Sequence, residues 1–273
     1  MTANKAQPEG TFFDTAYSES ERSILAEIRR EAFGEDIGQF SWITADELRK
    51  FGARVQLAPD SHLLDVACGS GGPSMFIAQT TGCRVTGVDL NESGIATARE
   101  TAQARGLQDR VRFEHIDART ALPFGDATFD AIISIDAMNH FYDRAALFAD
   151  WRRILKPGGS FLFTDAVIVT GMLTRAEILA RSSSMGVFIF TPAGTHERFI
   201  EHADFKELQV EDVTETIALV TRDWHDAREG RRDELLQFES ATEFNDLQQT
   251  LAAAHKLARE RRLSRFAYSA RNG

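Results

Sequence analysis

The feature that most constrains the fold is an apolar run that breaks into a glycine-rich turn. The run and the turn cover residues 63–72 (LLDVACGSGG), and a helical pattern follows from about Ser74. A second apolar run, residues 85–89, then ends in the carboxylate of Asp89. This order predicts a strand, a turn with an accessible backbone, a helix and a second strand tipped by an acid. Such a unit holds a nucleoside-containing cofactor.

The spacing of the glycines indicates which cofactor this is. A dinucleotide fingerprint would place a third glycine three residues after Gly71, but that position is Ser74. Gly69 and Gly71 lack a Cβ atom, so the backbone there can approach a ligand closely. Asp89 can accept hydrogen bonds from both hydroxyls of a ribose. We therefore expect S-adenosylmethionine rather than a nicotinamide dinucleotide, although Ala67 alters the first position of the methyltransferase-type glycine pattern.

Strands and helices alternate along the middle of the chain. The apolar patterns predict strands near residues 62–67, 84–89, 111–116, 129–135 and 159–165, with helices near 73–81, 92–105 and 143–155. Alternation with short links predicts a parallel sheet covered by helices on both faces. Farther along, we expect a strand near 207–213, helices over about 214–260 and a last strand over about 264–270.

The segments outside this core are expected to cover it. Ser20 is placed to cap a helix that runs to Phe33, and Thr44 opens another helix with Glu47 at the capping-box position. Residues 166–194 interrupt the alternation with an apolar patch. We expect one domain, made of an N-terminal arm and lid helices (1–56), a cofactor-binding core (57–165), a substrate cap with the C-terminal helices (166–260) and a final strand (261–273).

Three further motifs follow the glycine turn in order. They are residues 113–118 (FEHIDA), 129–141 (FDAIISIDAMNHF) and 155–165 (LKPGGSFLFTD). Together with the glycine turn they resemble the class I S-adenosylmethionine-dependent methyltransferases. The resemblance implies an α/β fold with a Rossmann-like seven-stranded sheet, helices on both faces and an antiparallel last strand. To this fold we add an N-terminal helical lid and an inserted substrate-cap segment.

A closer likeness concerns the flanks of the core. Residues 33–35 (FGE), 134–140 (SIDAMNH) and 263–268 (LSRFAY) are similar to segments of the phosphoethanolamine N-methyltransferases. This resemblance implies that Asp136 and His140 lie beside the sulfonium and the acceptor amine, and that Tyr17 partners His140. The chain departs from that family at Ala166, where the family has a phosphate-binding Tyr directly after the acid of the fifth strand. A larger and more apolar acceptor is therefore expected.

The remaining candidate site residues lie at strand ends, in turns and in the lid. The cofactor-binding candidates are Gln39, Ser41, Trp42, Asp65, Ala67, Gly69, Gly71, Asp89, Leu90, Asp117, Ala118 and Ser134. The candidates for the acceptor pocket are Met172, Met185, Phe188 and Phe190. Structural alternatives stay open: His140 and Asp136 could cap a helix, Asp117 could form a turn, and the Met and Phe residues could be ordinary core.

Charge and composition narrow the possible partners. A net charge of −10 over 273 residues disfavours binding to a nucleic-acid backbone. The two cysteines indicate no disulfide framework, and with no secretory signal or membrane-spanning run we expect a cytoplasmic protein. His225 and Asp226 match no metal-ligand spacing, so no metal is expected. Whether the protein is a monomer or a homodimer stays open.

These observations predict an S-adenosylmethionine-dependent methyltransferase that acts on a small molecule. An amine with substantial apolar surface leads, because Asp136 and His140 resemble an amine-methylating site. The alternative is O- or C-methylation of a phenolic or prenyl compound. Two other functional classes remain as alternatives. One is a nicotinamide oxidoreductase, and the other is a protein that binds the cofactor without catalysis.

Overall fold

A twisted β-sheet with a mixed strand order forms the centre of the computed structural model, which describes residues 17, 22–182 and 189–273. Its order is β3-β2-β1-β4-β5-β8-β7, and the short β6 pairs with β5. The strands are β1 His62–Val66, β2 Arg84–Asp89, β3 Val111–His115, β4 Phe129–Ile135, β5 Leu155–Val169, β6 Thr191–Pro192, β7 Lys206–Asp212 and β8 Leu263–Arg271. β8 lies antiparallel to both of its neighbours, which confirms the expected last strand.

Ten helices accompany this sheet in the described ranges. They are α1 Ser23–Phe33, α2 Ala45–Arg54, α3 Gly72–Thr81, α4 Glu92–Ala104, α5 Arg144–Ile154, α6 Arg175–Ser182, α7 Thr195–His202, α8 Thr214–Glu229, α9 Arg232–Leu235 and α10 Ala241–Arg259. The alternation predicted for the core is confirmed. Residues 166–194 were expected to interrupt the alternation of strands and helices. They contain the end of β5, the helix α6 and the strand β6.

The apolar residues of the central strands face two separate cores. Leu63 packs in the core beneath α2, α3 and α4, whereas its neighbour Leu64 packs in the core beneath α5 and α7. Successive side chains of a strand point to opposite faces, so a continuous apolar run requires both faces to be covered. This burial explains why β1 reads as an unbroken apolar segment apart from Asp65.

A third apolar cluster joins the two ends of the chain above the sheet. The helix α1 packs against α8, and α8 packs against α10. Trp42 and Trp224 meet in this cluster with their ring centroids 5.9 Å apart. The covering of the sheet edge is therefore built from the N-terminal segment and the C-terminal helices together. None of the helices in the described ranges is long and apolar enough to cross a membrane.

The helix ends differ from the sequence expectation in one informative place. The predicted cap Ser20 lies outside the described residues. Thr44 does cap α2, since its Oγ1 accepts a hydrogen bond from the Glu47 backbone N–H at 3.2 Å. The carboxylate of Glu47 does not complete a capping box and instead binds Arg265. The capping-box prediction is wrong because a buried guanidinium is a stronger partner for a carboxylate than a backbone amide.

Candidate cofactor and acceptor site

A cavity of about 330 Å³ opens at the carboxyl ends of β1, β2 and β4. Its walls are the turn after β1, the tip of β2, the residues that follow β3 and β4, and the loop before α2. Arg181 of α6, Trp224 of α8 and Leu247 of α10 close the far end. Ligands of open α/β sheets bind at this edge, where the strand order reverses direction.

Most of the predicted site residues line this cavity. Those that do are Tyr17, Ser41, Trp42, Asp65, Ala67, Gly69, Asp89, Leu90, Asp117, Ala118, Asp136 and His140. The sequence placed them together because parallel strands end at a common edge.

The turn after β1 is shaped by left-handed backbone and held by Asp89. Ala67 and Gly69 have φ values of 61° and 55°. The Gly69 N–H donates to Oδ2 of Asp89 at 2.7 Å, and the Asn91 N–H donates to Oδ1 at 2.8 Å. Burial raises the pKa of Asp89, while those two N–H groups and the nearby charge of His140 oppose the rise. A fixed carboxylate with further lone pairs facing the cavity is suited to a pair of hydroxyl donors.

Asp65 forms the floor of the cavity beneath the turn. Its Oδ2 accepts a hydrogen bond from the Ser74 hydroxyl at 2.5 Å. Burial, with a smaller contribution from the charge of Asp89, raises the pKa of Asp65 to about 7 even though the Ser74 hydrogen bond opposes it. The carboxyl group is therefore poised between its neutral and charged forms near neutral pH.

Three predicted cofactor residues do not line the cavity and instead shape its walls. Gly71 has φ 76°, and a Cβ atom there would lie 2.5 Å from Cζ of Phe113, so this glycine serves packing. Gln39 is buried and turned back on its own loop, where its Oε1 accepts from the Ile37 N–H at 3.0 Å. Ser134 is fully buried within β4. In this structure the three residues support the walls of the cavity, and their expected contact with a ligand stays a prediction.

Asp117 follows β3 and is already paired. Arg119 binds it through two parallel hydrogen bonds, Nε to Oδ1 and Nη2 to Oδ2, each 2.9 Å long. This pairing lowers the pKa of Asp117 and keeps the carboxylate ionised. The pairing therefore fixes a negative charge at the cavity wall, where the carboxylate can accept hydrogen bonds from the N–H or O–H groups of a ligand.

Asp136 lies directly after β4 in a strained conformation, with φ 54°. Its Oδ1 accepts from Nε of Arg265 at 2.8 Å, and its Oδ2 accepts from the Trp42 N–H at 3.0 Å. Its own N–H donates to the carbonyl oxygen of Thr164 at 3.1 Å. Asp136 therefore faces the cavity as half of a buried ion pair, which its position after the strand could not reveal.

His140 ends a short 3₁₀ turn, Met138–His140, that follows Asp136. Nδ2 of Asn139 lies 3.2 Å from its Nε2. The imidazole lines the cavity, and its charge acts on Asp89.

Tyr17 packs across the glycine turn. A Cβ atom at Gly69 would lie 2.9 Å from its Oη, and a Cβ atom at Gly94 would lie 2.9 Å from its Cδ2. Burial, followed by the charge of Asp89, raises the pKa of Tyr17 well above its ordinary value. Tyr17 thus belongs to the cavity wall in its neutral form, and its partnership with His140 stays a prediction.

Of the four acceptor-pocket candidates, the two that the structure describes do not line the cavity. Met172 is 88% exposed and does not line the cavity, and neither does Phe190. Met185 and Phe188 lie outside the described residues. The apolar end of the cavity is lined by members of the cluster that Trp42 and Trp224 share, which are Phe40, Trp42, Trp224 and Leu247.

Sequence analysis also missed Arg181, whose guanidinium lies 5.5 Å from the ring centroid of Trp42. Burial lowers the pKa of Arg181 to about 10, although the charge of Asp136 acts in the opposite direction. The sequence signal that could have identified Arg181 was a cation in an otherwise apolar segment. Within the described ranges no cluster of His, Cys, Asp and Glu is arranged to hold a metal ion.

Comparison with known proteins identifies the family. A model described as a methyltransferase domain matches residues 63–159. The methyltransferase GfsG of Streptomyces halstedii is 30% identical over 230 residues, which cover 77% of this chain and 81% of the relative. The chain belongs to the S-adenosylmethionine-dependent methyltransferases.

Two further likenesses agree with this assignment. The methyltransferase is 26% identical over 232 residues to the 27-O-demethylrifamycin SV methyltransferase of Amycolatopsis mediterranei, covering 81% of this chain and 85% of the relative. Its fold matches phosphoethanolamine N-methyltransferase 2 of Haemonchus contortus, whose structure was solved with phosphomonomethylethanolamine and S-adenosylhomocysteine. The TM-score is 0.81 and the sequence identity is 22%, and the match covers 98% of this chain and 60% of that one. S-adenosylmethionine is thus the cofactor of this methyltransferase, and the named enzymes differ in the atom that they methylate.

The residues at the cavity suit that cofactor in charge and shape. S-adenosylmethionine carries a ribose with two hydroxyls, an adenine amino group and a positive sulfonium. The methyltransferase offers the buried carboxylates of Asp89 and Asp65, the paired carboxylate of Asp117 and the left-handed turn at Gly69. The cavity wall therefore carries oxygen acceptors of the kind that these donor groups and this positive charge need.

Proposed function

We propose that this methyltransferase transfers a methyl group to a hydroxyl oxygen of a small molecule with an extended apolar surface. One observation carries the proposal: the cavity continues from the Asp89 end, past His140, to an aromatic wall, and the carboxylate beside that passage is neutralised by Arg265. The reaction places the acceptor between His140 and the aromatic wall.

The cofactor half of the proposal rests on charge and position. Asp89 would bind the ribose hydroxyls, Asp117 and the Ala118 backbone would bind adenine, and the turn at Gly69 with Asp65 would receive the methionine part. Ser41, Trp42 and Leu90 complete the wall on either side. When bound, S-adenosylmethionine supplies an electrophilic methyl group on its sulfonium.

The acceptor half rests on the charge balance around Asp136. An ammonium ion would gain from an unpaired carboxylate, but Asp136 already binds Arg265, and the charge of Arg181 acts on it as well. Arg265 is shared by Asp136 and Glu47, and Arg181 acts on Asp136 as well, so an ammonium ion would lose its hydration in this passage without meeting an unpaired carboxylate. A neutral hydroxyl meets no such penalty, and its apolar body would be buried against Trp224 and Leu247.

His140 has the role of proton acceptor in this reaction. As the oxygen attacks the methyl group, the bond between the methyl carbon and sulfur breaks and its electron pair stays on sulfur. The hydroxyl proton passes to the imidazole of His140, and the resulting positive charge lies close to the carboxylate of Asp89, which stabilises it. The relative named for an O-demethylated rifamycin supports an acceptor of this kind.

Methylation of an amine is the second candidate. The Asp136 and His140 segment resembles the amine-methylating family, and the fold matches a phosphoethanolamine N-methyltransferase. An uncharged amine could use the same base and the same passage, so the two candidates differ in the charge that the acceptor carries when it enters.

The test uses acceptors that share one apolar body. A naphthol, a naphthylmethanol and the corresponding naphthylmethylamine are incubated with the enzyme and S-adenosylmethionine, and products are scored by mass spectrometry for the gain of one methyl group and for released S-adenosylhomocysteine. We expect the hydroxyl compounds to be methylated and the charged amine to react more slowly. Preferred methylation of the amine on nitrogen would overturn the argument from charge.

A second arm tests His140. His140→Ala should lower turnover by about a hundredfold to ten-thousandfold, the usual contribution of a positioned general base, while the dissociation constant for S-adenosylmethionine changes little. His202→Ala, which alters an exposed histidine of α7, is the matched control and should keep full activity. Equal turnover of the two variants would remove the proposed role of His140.

A further inference from the structure

The strand β8, which is the last along the chain, carries a buried arginine beneath the cavity. Arg265 of β8 has no exposed side-chain surface. Its Nε donates to Oδ1 of Asp136 at 2.8 Å, and its Nη1 donates to Oε2 and Oε1 of Glu47 at 2.8 and 3.1 Å. Burial disfavours a charged guanidinium, but Asp136 and Glu47 outweigh that effect and raise the pKa of Arg265. The side chain therefore holds a permanent charge between two carboxylates.

These partners belong to segments far apart in the chain. Glu47 lies in α2, Asp136 follows β4, and Arg265 lies within ten residues of the C-terminus. The backbone of Arg265 is itself fixed, because its N–H donates to Oγ1 of Thr214 at 3.0 Å and its carbonyl accepts from the Val213 N–H at 2.9 Å. The guanidinium is thus anchored to the rigid sheet, and its partners are anchored to it.

Asp136, one of the two partners of Arg265, holds the loop that covers the cavity. We call residues 38–47 the lid segment; its Phe40, Ser41 and Trp42 line the cavity. Oδ2 of Asp136 accepts from the Trp42 N–H at 3.0 Å. Glu47 is the last residue of the same segment and binds Arg265 directly. The lid segment is therefore attached to Arg265 at two points, in its middle through Asp136 and at its C-terminal end through Glu47.

We infer that Arg265 is a positioning residue that latches the lid segment over the cofactor, with Glu47 and Asp136 as the two points of attachment. This role of Arg265 is to keep the cofactor enclosed by the lid segment. It does not depend on which acceptor atom is methylated. Enclosure of this kind excludes water and slows ligand escape. Weakening one attachment should therefore speed cofactor release more than it lowers the stability of the whole protein.

The test weakens the latch from the lid side only. Glu47→Gln keeps the size and the hydrogen-bonding oxygen of the side chain but removes its charge, and Arg265 keeps its bond to Asp136. Asp46→Asn is the matched control, because it makes the same change of charge on the neighbouring residue of α2, where the side chain is 94% exposed and binds only Arg49 among the described residues. The measurements are the dissociation rate of radiolabelled S-adenosylmethionine by filter binding after a chase, and hydrogen–deuterium exchange of peptides across the chain.

We expect Glu47→Gln to release the cofactor about tenfold faster, since a hydrogen bond to a charged group is worth about that factor or more. Exchange should rise in residues 38–47 and stay unchanged in β1 and β2, and Asp46→Asn should match the wild type. Two results would overturn the inference. One is equal release rates for the two variants, and the other is an even rise of exchange through the whole sheet, which indicates a merely structural ion pair.

A second variant keeps the test valid if Glu47→Gln folds poorly. Arg265→Lys retains the buried charge, but its single ammonium group cannot replace two separate nitrogens, Nη1 on Glu47 and Nε on Asp136. It should reproduce the faster release and the local rise in exchange. Wild-type release from a folded Arg265→Lys protein would also overturn the inference.

Discussion

Replacing Asp65 by asparagine should change how the stability of this methyltransferase depends on pH. The ordinary pKa of an aspartate is 3.8, and burial raises that of Asp65 to about 7 in the folded protein. About one unit or more below pH 3.8 the carboxyl group is protonated in both the folded and the unfolded states. Between pH 4 and pH 7 the unfolded chain loses this proton while the folded protein keeps it, so the free energy of unfolding falls as the pH rises.

The size of the effect follows from the shift. A difference of about 3 pH units corresponds to about 4 kcal/mol at 1.36 kcal/mol per unit, which is the most that this group contributes. Asp65→Asn cannot ionise, and its amide oxygen can still accept the hydrogen bond from Ser74. Relative to this variant, the wild type should lose up to about 4 kcal/mol between pH 4 and pH 7, a change in melting temperature of the order of 10 °C.

The assay is urea unfolding of the cofactor-free proteins, followed by circular dichroism in steps from pH 4 to pH 8. Asp89, whose pKa is also raised by burial, shifts both proteins in the same direction and largely cancels in the comparison. Asp46→Asn serves as the exposed control and should follow the wild type at every pH. A constant difference between Asp65→Asn and the wild type across this range would refute the reasoning, because it would mean that Asp65 is ionised throughout.

Two further substitutions test the cofactor site. Asp89→Asn should weaken S-adenosylhomocysteine binding about tenfold or more in isothermal titration, because one amide group cannot accept from both Gly69 and Asn91; unchanged affinity would exclude Asp89 as a cofactor ligand. Gly71→Ala should cost about 1–3 kcal/mol in urea unfolding, since the new Cβ atom would lie 2.5 Å from Phe113. Gly106→Ala also has a positive φ but open space around it, so an equal loss in both variants would attribute the cost to the backbone alone.

The core of the fold was predictable because its signals are local. The run at Leu63 and Leu64 buries both faces of β1, and the glycines that follow it provide the left-handed backbone of the turn. Asp89 was recognisable as a site residue because it ends the next strand, and parallel strands end at one edge. These features depend on the period of the side chains and on the conformations that single residues allow.

The acceptor end of the site was not predictable in the same way. Met172 looked suitable by type but points to solvent, whereas Trp224 and Leu247 reach the cavity from helices near the C-terminus. Their spacing in the sequence predicted an apolar helix face without indicating what that face would meet. Arg181 carried only the weak signal of a cation in an apolar segment.

By itself, the sequence determined the alternating core, the glycine turn, the cofactor and the carboxylate at the tip of β2, because each follows from neighbouring residues. Only the tertiary structure decided that Glu47 leaves its expected helix cap to bind Arg265, and that Asp136 is half of an ion pair. The physical reason is the sheet order. The last strand, β8, lies beside β5. This neighbourhood brings Arg265 close to Asp136 and Glu47, which lie more than a hundred positions earlier in the chain. Pairing between such distant groups depends on where the strands lie, which no local pattern encodes.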